Sequence, residues 1–214
     1  MIEIEGYVGF EPIGEGGAGV VYRAVRQSTG EQVAVKVLRD VSDRSVAWQR
    51  MRRELTALVA LGGHPNVVQL HEMIEHQNGP ALVMEYASGG SVADLLARRH
   101  GVLTVGEAAL IGRQAAQALG AAHAAGIVHR DVKPHNLLID RCGQVKLCDF
   151  GIASLTRSDE FGDRTDAWSV RYASPEDLDG DVPVGPPSDV YSLGATLLHL
   201  VHGAPPTLAE RLTP

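Results

Sequence analysis

The hydrophobic pattern changes character partway along the chain, and this change limits the possible folds more than any other feature. In residues 20–25 and 32–38, β-branched side chains nearly alternate with polar ones, which predicts two strands of an antiparallel hairpin. Two further strands are expected at 67–74 and 81–86. Between these pairs, residues 45–61 carry apolar side chains at helical spacing. The first part of the chain is therefore expected to be a small sheet with one helix.

The second part of the chain is mainly helical in its pattern. The sequence TVGE at 104–107 has the form of a capping box and begins an Ala-rich helix that ends at Gly126. Two short strands, 137–140 and 144–148, are expected to form a hairpin. Ser188 is expected to cap a last helix.

These patterns together predict an α+β fold in two lobes. Residues 1–86 would form the antiparallel sheet lobe, residues 87–90 a glycine-rich hinge, and residues 91–214 a mainly helical lobe. Residues 149–176 show little periodicity and many Ser, Thr, Asp and Arg, which predicts a long surface loop. Long loops in compact domains usually carry function.

Charge and composition exclude several classes of protein. The 214 residues include 19 Lys and Arg against 26 Asp and Glu, so the net charge of −7 provides no basic field for nucleic acid or an anionic membrane. The apolar run at 195–201 is far shorter than the ~20 residues of a membrane span. With only Cys142 and Cys148 there is no disulfide framework, which favours reduced thiols and a cytoplasmic location.

A glycine-rich segment and a lysine are the first candidates for chemistry. The sequence GEGGAGVV at 14–21 matches G-x-G-x-x-G-x-V, a pattern shared with dinucleotide-binding loops and with plain tight hairpins. Because residues 20–25 continue as a strand and not as a helix, the context favours a flap over phosphates. Lys36 would follow this flap on the next strand, and Glu54 would orient it by an ion pair. The plain alternatives are a solvated lysine and an exposed helical glutamate.

Three motifs in the second half decide between these alternatives. HRDVKPHN at 129–136 is followed by DFG at 149–151 and SPE at 174–176. With this ordered set the chain resembles the eukaryotic-like Ser/Thr protein kinases, in particular their bacterial members, from about Phe10 to Pro206. The resemblance implies a bilobal kinase fold that transfers the γ-phosphate of ATP, with Mg²⁺, to Ser or Thr hydroxyls of protein substrates.

The resemblance also implies a role for each matching residue. Lys36 would hold the α- and β-phosphates, and Glu54 would hold Lys36. Asp131 would accept or orient the proton of the substrate hydroxyl, and Lys133 would neutralise the γ-phosphate. The implied metal ligands, for Mg²⁺ or Mn²⁺, are Asn136 and Asp149.

Further positions follow from the same resemblance. Adenine would lie between apolar side chains of the two lobes, against the backbone of the hinge. Asp189 would brace the catalytic loop, and a stack of Leu58, Leu70, His129 and Phe150 would join the lobes. The implied ATP-binding set is Ile13, Gly14, Gly16, Gly19, Val21, Ala34, Lys36, Met84, Glu85, Ala87 and Leu138.

The long loop carries the expected sites of autophosphorylation. Arg130, beside the catalytic aspartate, suggests a cation that pairs with a phosphate on this loop. Thr165 is the first choice because it lies just before the substrate-binding element. The candidate hydroxyls are Thr165, Thr156, Ser158 and Ser169.

The chain departs from the family pattern at three places. Ala18 stands at the flap tip where a larger apolar residue is usual, and Trp168 stands in place of a glycine. After Pro206 such kinases continue through further helices, one of which supplies an Arg to the glutamate equivalent to Glu176. The resemblance therefore implies a catalytic domain truncated at its C-terminal end, and a possible homodimer through the C-terminal lobe.

Two other functions compete with an active protein kinase. One is a nucleotide-binding pseudokinase or scaffold, against which stands the presence of every catalytic side chain. The other is a kinase of a small molecule or of a peptide in a biosynthetic pathway, which usually lacks the HRDxKP form and the SPE element.

Overall fold

A five-stranded antiparallel sheet forms the first part of the fold. The computed structural model describes residues 2–16, 19–37, 55–76, 79–150, 169–179 and 183–207. The strand order in the sheet is β1-β2-β3-β5-β4, with residues 55–60 (α1) helical between β3 and β4 in the sequence. The strands are β1 (Tyr7–Gly16), β2 (Gly19–Arg26), β3 (Gln32–Val37), β4 (Leu70–His76) and β5 (Gly79–Glu85).

Helices dominate the second part, around a small three-stranded sheet in the order β6-β7-β8. The helices α3 and α5 pack against each other as the long elements of this part. The elements in chain order are β6 (Gly90–Ser91), α2 (Val92–Arg98), α3 (Val105–Ala124), β7 (Leu137–Ile139), β8 (Val145–Leu147), α4 (Pro175–Asp179) and α5 (Pro186–His202). The fold is α+β, as expected.

Alternating and continuous apolar runs place the core on both sides of the sheet. Val33, Val35 and Val83 face one cluster and are fully buried. Leu82, from β5, belongs instead to a larger cluster that continues into the helical part and includes Phe150. Because a single apolar cluster spans both parts of the chain, the sheet and the helices are held in contact by burial of apolar surface.

The expected strand at 67–74 begins later than predicted, at Leu70. The preceding residues pair with β8 instead, because Val68 N donates to Leu147 O at 3.0 Å and Leu147 N donates to Asn66 O at 2.8 Å. The Asn66 side chain adds a bond from Nδ2 to Val145 O at 2.8 Å. The first residues of the predicted strand therefore lie outside the five-stranded sheet, because they form hydrogen bonds with backbone groups of β8 in the three-stranded sheet.

Both ends of α3 agree with the sequence. Thr104 Oγ1 accepts from Glu107 N, and the Glu107 carboxylate accepts from Thr104 N at 2.9 Å, which completes the predicted capping box. The helix ends before Gly126, whose φ of 75° is favourable for glycine.

The beginning of α5 differs from the prediction that Ser188 caps it. The helix begins at Pro186, with Gly185 as the N-cap residue, because the fixed φ of proline suits the first helical turn. Ser188 is buried within the first turn and donates from Oγ to Glu176 Oε1 at 2.6 Å. None of the helices in the described ranges has the length and apolarity that crossing a membrane requires.

Candidate active site

Lys36 lies at the centre of the sheet and points toward the helical part. Its position on β3 pairs with Val21 on one side and Leu82 on the other, so both neighbouring strands fix its backbone. The residue is 3% exposed, and its Nζ donates to Asp149 Oδ1 at 2.7 Å. The ion pair spans 113 residues of sequence and brings a cation and a carboxylate together between the sheet and the helices.

Asp149 follows β8 in a left-handed backbone conformation with φ of 63°. Loss of hydration alone would raise the pKa of this carboxyl, but the charge and hydrogen bond of Lys36 outweigh it. Its pKa therefore lies below the ordinary value, and the group is an anion at neutral pH. Such a carboxylate is a hard oxygen ligand for Mg²⁺.

The loop that contains Asp131 holds its carboxylate by two side chains. Asp131 Oδ2 accepts from Lys133 Nζ at 2.8 Å and from Asn136 Nδ2 at 2.9 Å. The same Nδ2 atom donates to Asp131 O at 2.7 Å. Because its amide nitrogen is committed to Asp131, Asn136 offers Oδ1 as its ligand oxygen.

The β7–β8 hairpin brings the two implied metal ligands to one end. Leu137 pairs with Leu147, and Cys148 N donates to Asn136 O at 3.0 Å. Asn136 directly precedes β7, and Asp149 follows β8 at the same end of the hairpin. One amide oxygen and one carboxylate suit a magnesium ion that takes its remaining ligands from phosphates and water. The residues present fit such an ion.

A buried aspartate fixes the backbone of the Asp131 loop. Asp189 on α5 is 0% exposed, and its two oxygens accept from His129 N at 2.8 Å and Arg130 N at 2.7 Å. His123 on α3 donates from Nε2 to the same carboxylate at 2.7 Å. Arg130 has a φ of 68°, a conformation that costs about 1 kcal/mol or more in a residue with a Cβ and needs such support.

His129 connects the Asp131 loop to the segment that carries Asp149. Its Nε2 donates to Cys148 O at 2.8 Å, and its Nδ1 accepts from Asp131 N at 3.2 Å. The imidazole packs edge to face on Phe150 with ring centroids 4.8 Å apart. Leu58 lies in the same apolar cluster, and Leu70 packs against it.

The residues expected to line the nucleotide site lie on facing strands. Gly16 pairs with Gly19 and Gly14 with Val21 at the end of the β1–β2 hairpin, so the glycine-rich segment joins two strands. Ala34 and Met84 are paired neighbours on β3 and β5 and are both buried. Of the other expected residues, Ile13 is 48% exposed, Ala87 is buried and Leu138 is half-buried.

The segment between the two parts is tied to both of them by Glu85. Its Oε1 accepts from Gln69 N at 2.8 Å and from Lys146 Nζ at 2.9 Å. Lys146 lies on β8 and is largely buried, so this ion pair is screened less than a surface pair.

Comparison with known proteins agrees with this geometry. The protein kinase domain family matches residues 7–213. The chain belongs to the protein kinase domain family. It is 44% identical over 199 residues to the Serine/threonine-protein kinase PknK of Mycobacterium tuberculosis, and 39% identical over 201 residues to the NUAK family SNF1-like kinase 2 of Rattus norvegicus.

These alignments cover most of this kinase domain but a minor part of its relatives. The match to PknK covers 92% of the chain and 18% of the mycobacterial protein. The match to the rat kinase covers 94% of the chain and 31% of that protein. The human NUAK family SNF1-like kinase 2 is 37% identical over 201 residues with the same coverage.

Several expected residues of the kinase domain lie outside the described ranges. Ser169 begins the short 3₁₀ turn Ser169–Arg171, so its backbone is described. The residues outside the description are Glu54, Thr156, Ser158, Thr165, Ala18 and Trp168.

Among the described residues of the kinase domain, two side-chain contacts near the site illustrate what the sequence did not predict. One is the bond from His123 to Asp189, across 66 residues. The other joins Tyr172 and His199, whose Oη and Nδ1 atoms lie 2.7 Å apart. Helical spacing puts His199 one turn after the buried Thr196 on α5. The sequence near either residue gives no indication that Tyr172 is its partner. Glu176, for which the sequence predicts no Arg partner of the kind its relatives have, accepts from Ser188 Oγ.

Proposed function

We propose that this kinase domain transfers the γ-phosphate of ATP to Ser and Thr hydroxyls of proteins, with Mg²⁺ as the metal ion. The observation that carries the proposal is the Lys36–Asp149 pair at 2.7 Å beside the Asp131–Lys133–Asn136 group. Phosphoryl transfer needs little covalent chemistry from the protein, and it needs charge neutralisation and in-line positioning. The two groups supply cations and metal-ligand oxygens for that purpose.

The nucleotide would lie between the sheet and the helical part. Lys36 would neutralise the α- and β-phosphates, and Glu54 is proposed as its second partner. The glycine-rich end of the β1–β2 hairpin would cover the phosphates with backbone N–H groups. Ala34 and Met84 on the sheet side and Leu138 below would enclose adenine, whose edge would bond to the backbone of Glu85 and Ala87.

Asp131 is proposed to orient the acceptor hydroxyl and receive its proton. Its Oδ2 is already held by Lys133 and Asn136, so the carboxylate has a fixed direction before substrate arrives. Lys133 would then neutralise the γ-phosphate as charge develops on its oxygens. Asn136 and Asp149 would hold Mg²⁺, which neutralises phosphate charge when bound.

Replacement of Lys36 by Met tests the proposal. We expect loss of a phosphate-binding cation to reduce phosphate transfer by ~10² to 10³, as for comparable electrostatic donors. Transfer of radiolabelled phosphate from Mg-ATP to a mixed protein substrate is the measurement. Lys146→Met is the matched control, because it removes another buried lysine that pairs with a side chain, and its main effect should be on thermal stability. Transfer in Lys36→Met equal to that in Lys146→Met would contradict the assigned role.

Autophosphorylation is a second part of the proposal. The loop at 151–169 carries Thr165, Thr156, Ser158 and Ser169, of which Thr165 is the first choice. A phosphate there adds about −1.5 to −2 charges, and Arg130 provides a cation beside the catalytic aspartate. Intact mass after incubation with Mg-ATP, followed by phosphopeptide mapping, should place the phosphate in this loop. Modification found only outside the loop would reject the assignment.

The remaining expectations concern organisation and setting. We propose that residues 1–86 and 91–214 act as two lobes about a hinge at 87–90, and that the chain works in the cytoplasm, where ATP is available.

Self-association through the C-terminal lobe is supported by Val190 and Leu198 on α5, which are 64% and 41% exposed. Analytical ultracentrifugation at several concentrations should show a dimer, and a monomer at every concentration would contradict it.

A further inference from the structure

The catalytic loop, residues 129–136, is held to α5 by Thr196 as well as by Asp189. Thr196 Oγ1 donates to Val132 O at 3.2 Å, across 64 residues of sequence. A carbonyl oxygen can only accept, so the hydroxyl hydrogen of Thr196 points out of its own helix toward the loop. Both Thr196 and Val132 are fully buried, and water therefore does not compete for this bond.

A buried hydroxyl on a helix has an alternative acceptor, and Thr196 bonds elsewhere. Ser and Thr side chains inside helices commonly donate to the carbonyl four residues earlier. Ser192, one turn before Thr196 on α5, follows this pattern, because its Oγ donates to Ser188 O at 3.0 Å. Thr196 therefore bonds to the catalytic loop although its own helix offers an acceptor.

The carbonyl of Val132 has Thr196 as its hydrogen-bond donor. Among the described residues no other donor reaches this oxygen. Residues 129–132 have no regular secondary structure, so no helix or sheet ladder supplies a replacement. Buried backbone carbonyls in folded proteins are nearly always paired. Removal of the hydroxyl would leave this oxygen unpaired, and the peptide group would then rotate toward another donor.

The Val132–Lys133 peptide group transmits this bond to the reacting groups. Because a peptide group is planar, a fixed Val132 O also fixes Lys133 N and the direction in which the chain continues. Lys133 Nζ lies 2.8 Å from Asp131 Oδ2, and Lys133 is the residue proposed to neutralise the γ-phosphate. Rotation of the peptide group would therefore move Lys133 relative to Asp131.

Asp131 lies between two anchors on α5. Asp189 accepts from the N–H groups of the two residues before Asp131, and Thr196 donates to the carbonyl of the residue after it. The two anchors are seven residues apart, which is about two helical turns or about 10 Å along the axis. A single helix thus fixes the loop backbone on both sides of the catalytic aspartate.

We propose that Thr196 is a positioning residue for phosphate transfer, which sets the Val132–Lys133 peptide group and through it the place of the Lys133 side chain. The inference rests on the proposed protein kinase function, and it names a residue outside the motifs that carry the family resemblance. Lys36 and Asp149, on the nucleotide side, bond to each other and not to this group. Loss of the hydroxyl should therefore lower the rate of transfer and leave the KM for ATP nearly unchanged.

Three substitutions on α5 test the assignment. Thr196→Val keeps the shape of the side chain and removes the hydroxyl, whereas Thr196→Ser keeps the hydroxyl. Ser192→Ala is the matched control, because it removes a buried hydroxyl one turn earlier whose acceptor, Ser188 O, keeps its bond in the helix ladder. Apparent kcat and the KM for ATP are measured on the full chain, with radiolabelled Mg-ATP and a fixed concentration of a mixed protein substrate.

The expected results differ among the three variants. A shift of 1 Å in a reacting group can cost ~10² in rate, so the smaller shift in Thr196→Val should lower kcat about tenfold and change the KM for ATP by less than about twofold. Ser lacks the β-methyl that limits χ1 in Thr, so Thr196→Ser should keep kcat within about threefold of the unmodified chain. Ser192→Ala should leave kcat unchanged. Equal kcat in Thr196→Val and Ser192→Ala would overturn the assignment, and so would a Thr196→Ser variant as slow as Thr196→Val.

Hydrogen exchange tests the same anchor without the reaction. Amide exchange of peptides that cover residues 129–136 is followed by mass spectrometry in the chain without nucleotide. Loss of the bond to Val132 O should make this segment exchange about tenfold faster in Thr196→Val than in Ser192→Ala. Equal exchange in the two variants would overturn the anchor.

The two measurements separate this inference from the proposed function. Slower transfer together with faster exchange in Thr196→Val supports both inferences. Transfer by the unmodified chain that is undiminished in Thr196→Val overturns the positioning role, whatever the exchange shows, and leaves the kinase function standing. Faster exchange in Thr196→Val, with no transfer by any of the four chains, supports the anchor and overturns the kinase function.

Discussion

Asp189→Asn is the substitution with the clearest expected consequence for both stability and transfer. The carboxylate accepts two backbone N–H groups and the His123 imidazole while it is 0% exposed. An amide of the same shape offers one oxygen and one NH₂ group. The NH₂ group would then face a backbone donor at His129 or Arg130, and that donor would lose its acceptor.

The magnitude follows from these contacts. A buried donor without a partner costs about 1 to 3 kcal/mol, and the remaining bonds weaken by about 1 kcal/mol each when the acceptor loses its charge. With two remaining bonds, the sum is about 3 to 5 kcal/mol of unfolding free energy. For a chain of this size each kcal/mol shifts Tm by about 2 to 4 °C, so we expect Tm to fall by about 6 to 20 °C.

Phosphate transfer should fall as well, because the left-handed backbone of Arg130 depends on Asp189. If Arg130 relaxes, Asp131 moves with it, and a displacement of about 1 Å is worth about 10² in rate. Both quantities are measured on the full chain, Tm by circular dichroism and transfer at a temperature below the lower Tm.

Asp94→Asn is the matched control. Asp94 also accepts two bonds from one partner, Ser91, but it is exposed, so water can replace what is lost. We expect a cost of at most about 1 kcal/mol. A Tm for Asp189→Asn that is no lower than that of Asp94→Asn, with transfer unchanged, would refute the argument from buried acceptors.

Three further predictions address packing, anchoring and pH. Gly120→Ala should raise stability by about 0.5 to 1 kcal/mol, because space is open around this position on α3. Gly89→Ala should lower stability by about 1 to 3 kcal/mol, because its Cβ would lie 2.8 Å from Ile139 O. Thermal unfolding that gave the opposite order of stabilities would contradict this reasoning. Thr196→Val should cost about 1 kcal/mol in urea unfolding through loss of the bond to the catalytic loop, and an unchanged midpoint would count against that bond. Burial lowers the pKa of His199, so the stability that its neutral form contributes to folding is present above the ordinary value of about 6.5 and is lost as pH falls. His199→Gln should therefore make Tm fall less steeply below that pH. An unaltered slope of Tm against pH would exclude His199 as the cause of the fall.

The sequence by itself determined the features that depend on neighbouring residues. Alternating β-branched residues predicted the β2–β3 hairpin, and the TVGE segment predicted the capping box of α3; both are confirmed. The ordered motifs predicted the kinase family, and the comparison confirms it. These predictions succeed because strand pairing across a short turn and a helix cap are decided within a few residues.

The sequence also predicted which residue types would be brought together in the site, but not how they would be held. The motifs predicted roles for Lys36 and Asp149, and in the fold Lys36 Nζ lies 2.7 Å from Asp149 Oδ1. The cap of α5 was predicted three residues late, at Ser188 and not at Gly185, because the buried hydroxyl of Ser188 bonds to Glu176 and does not cap the helix. A serine near a helix start has the same local pattern in either role, so the pattern could not separate them.

Only the tertiary structure decided the contacts that join distant parts of the chain. His123 reaches Asp189 across 66 residues, and Tyr172 reaches His199 across 27. Residues 67 and 68, predicted to be in a strand of the larger sheet, pair with β8 instead, because β8 also needs partners for its backbone groups. The energy of each contact depends on burial, which removes water as an alternative partner. Burial is a property of the packed chain. The local sequence therefore does not predict which distant residue will be the hydrogen-bond partner of a buried donor or acceptor.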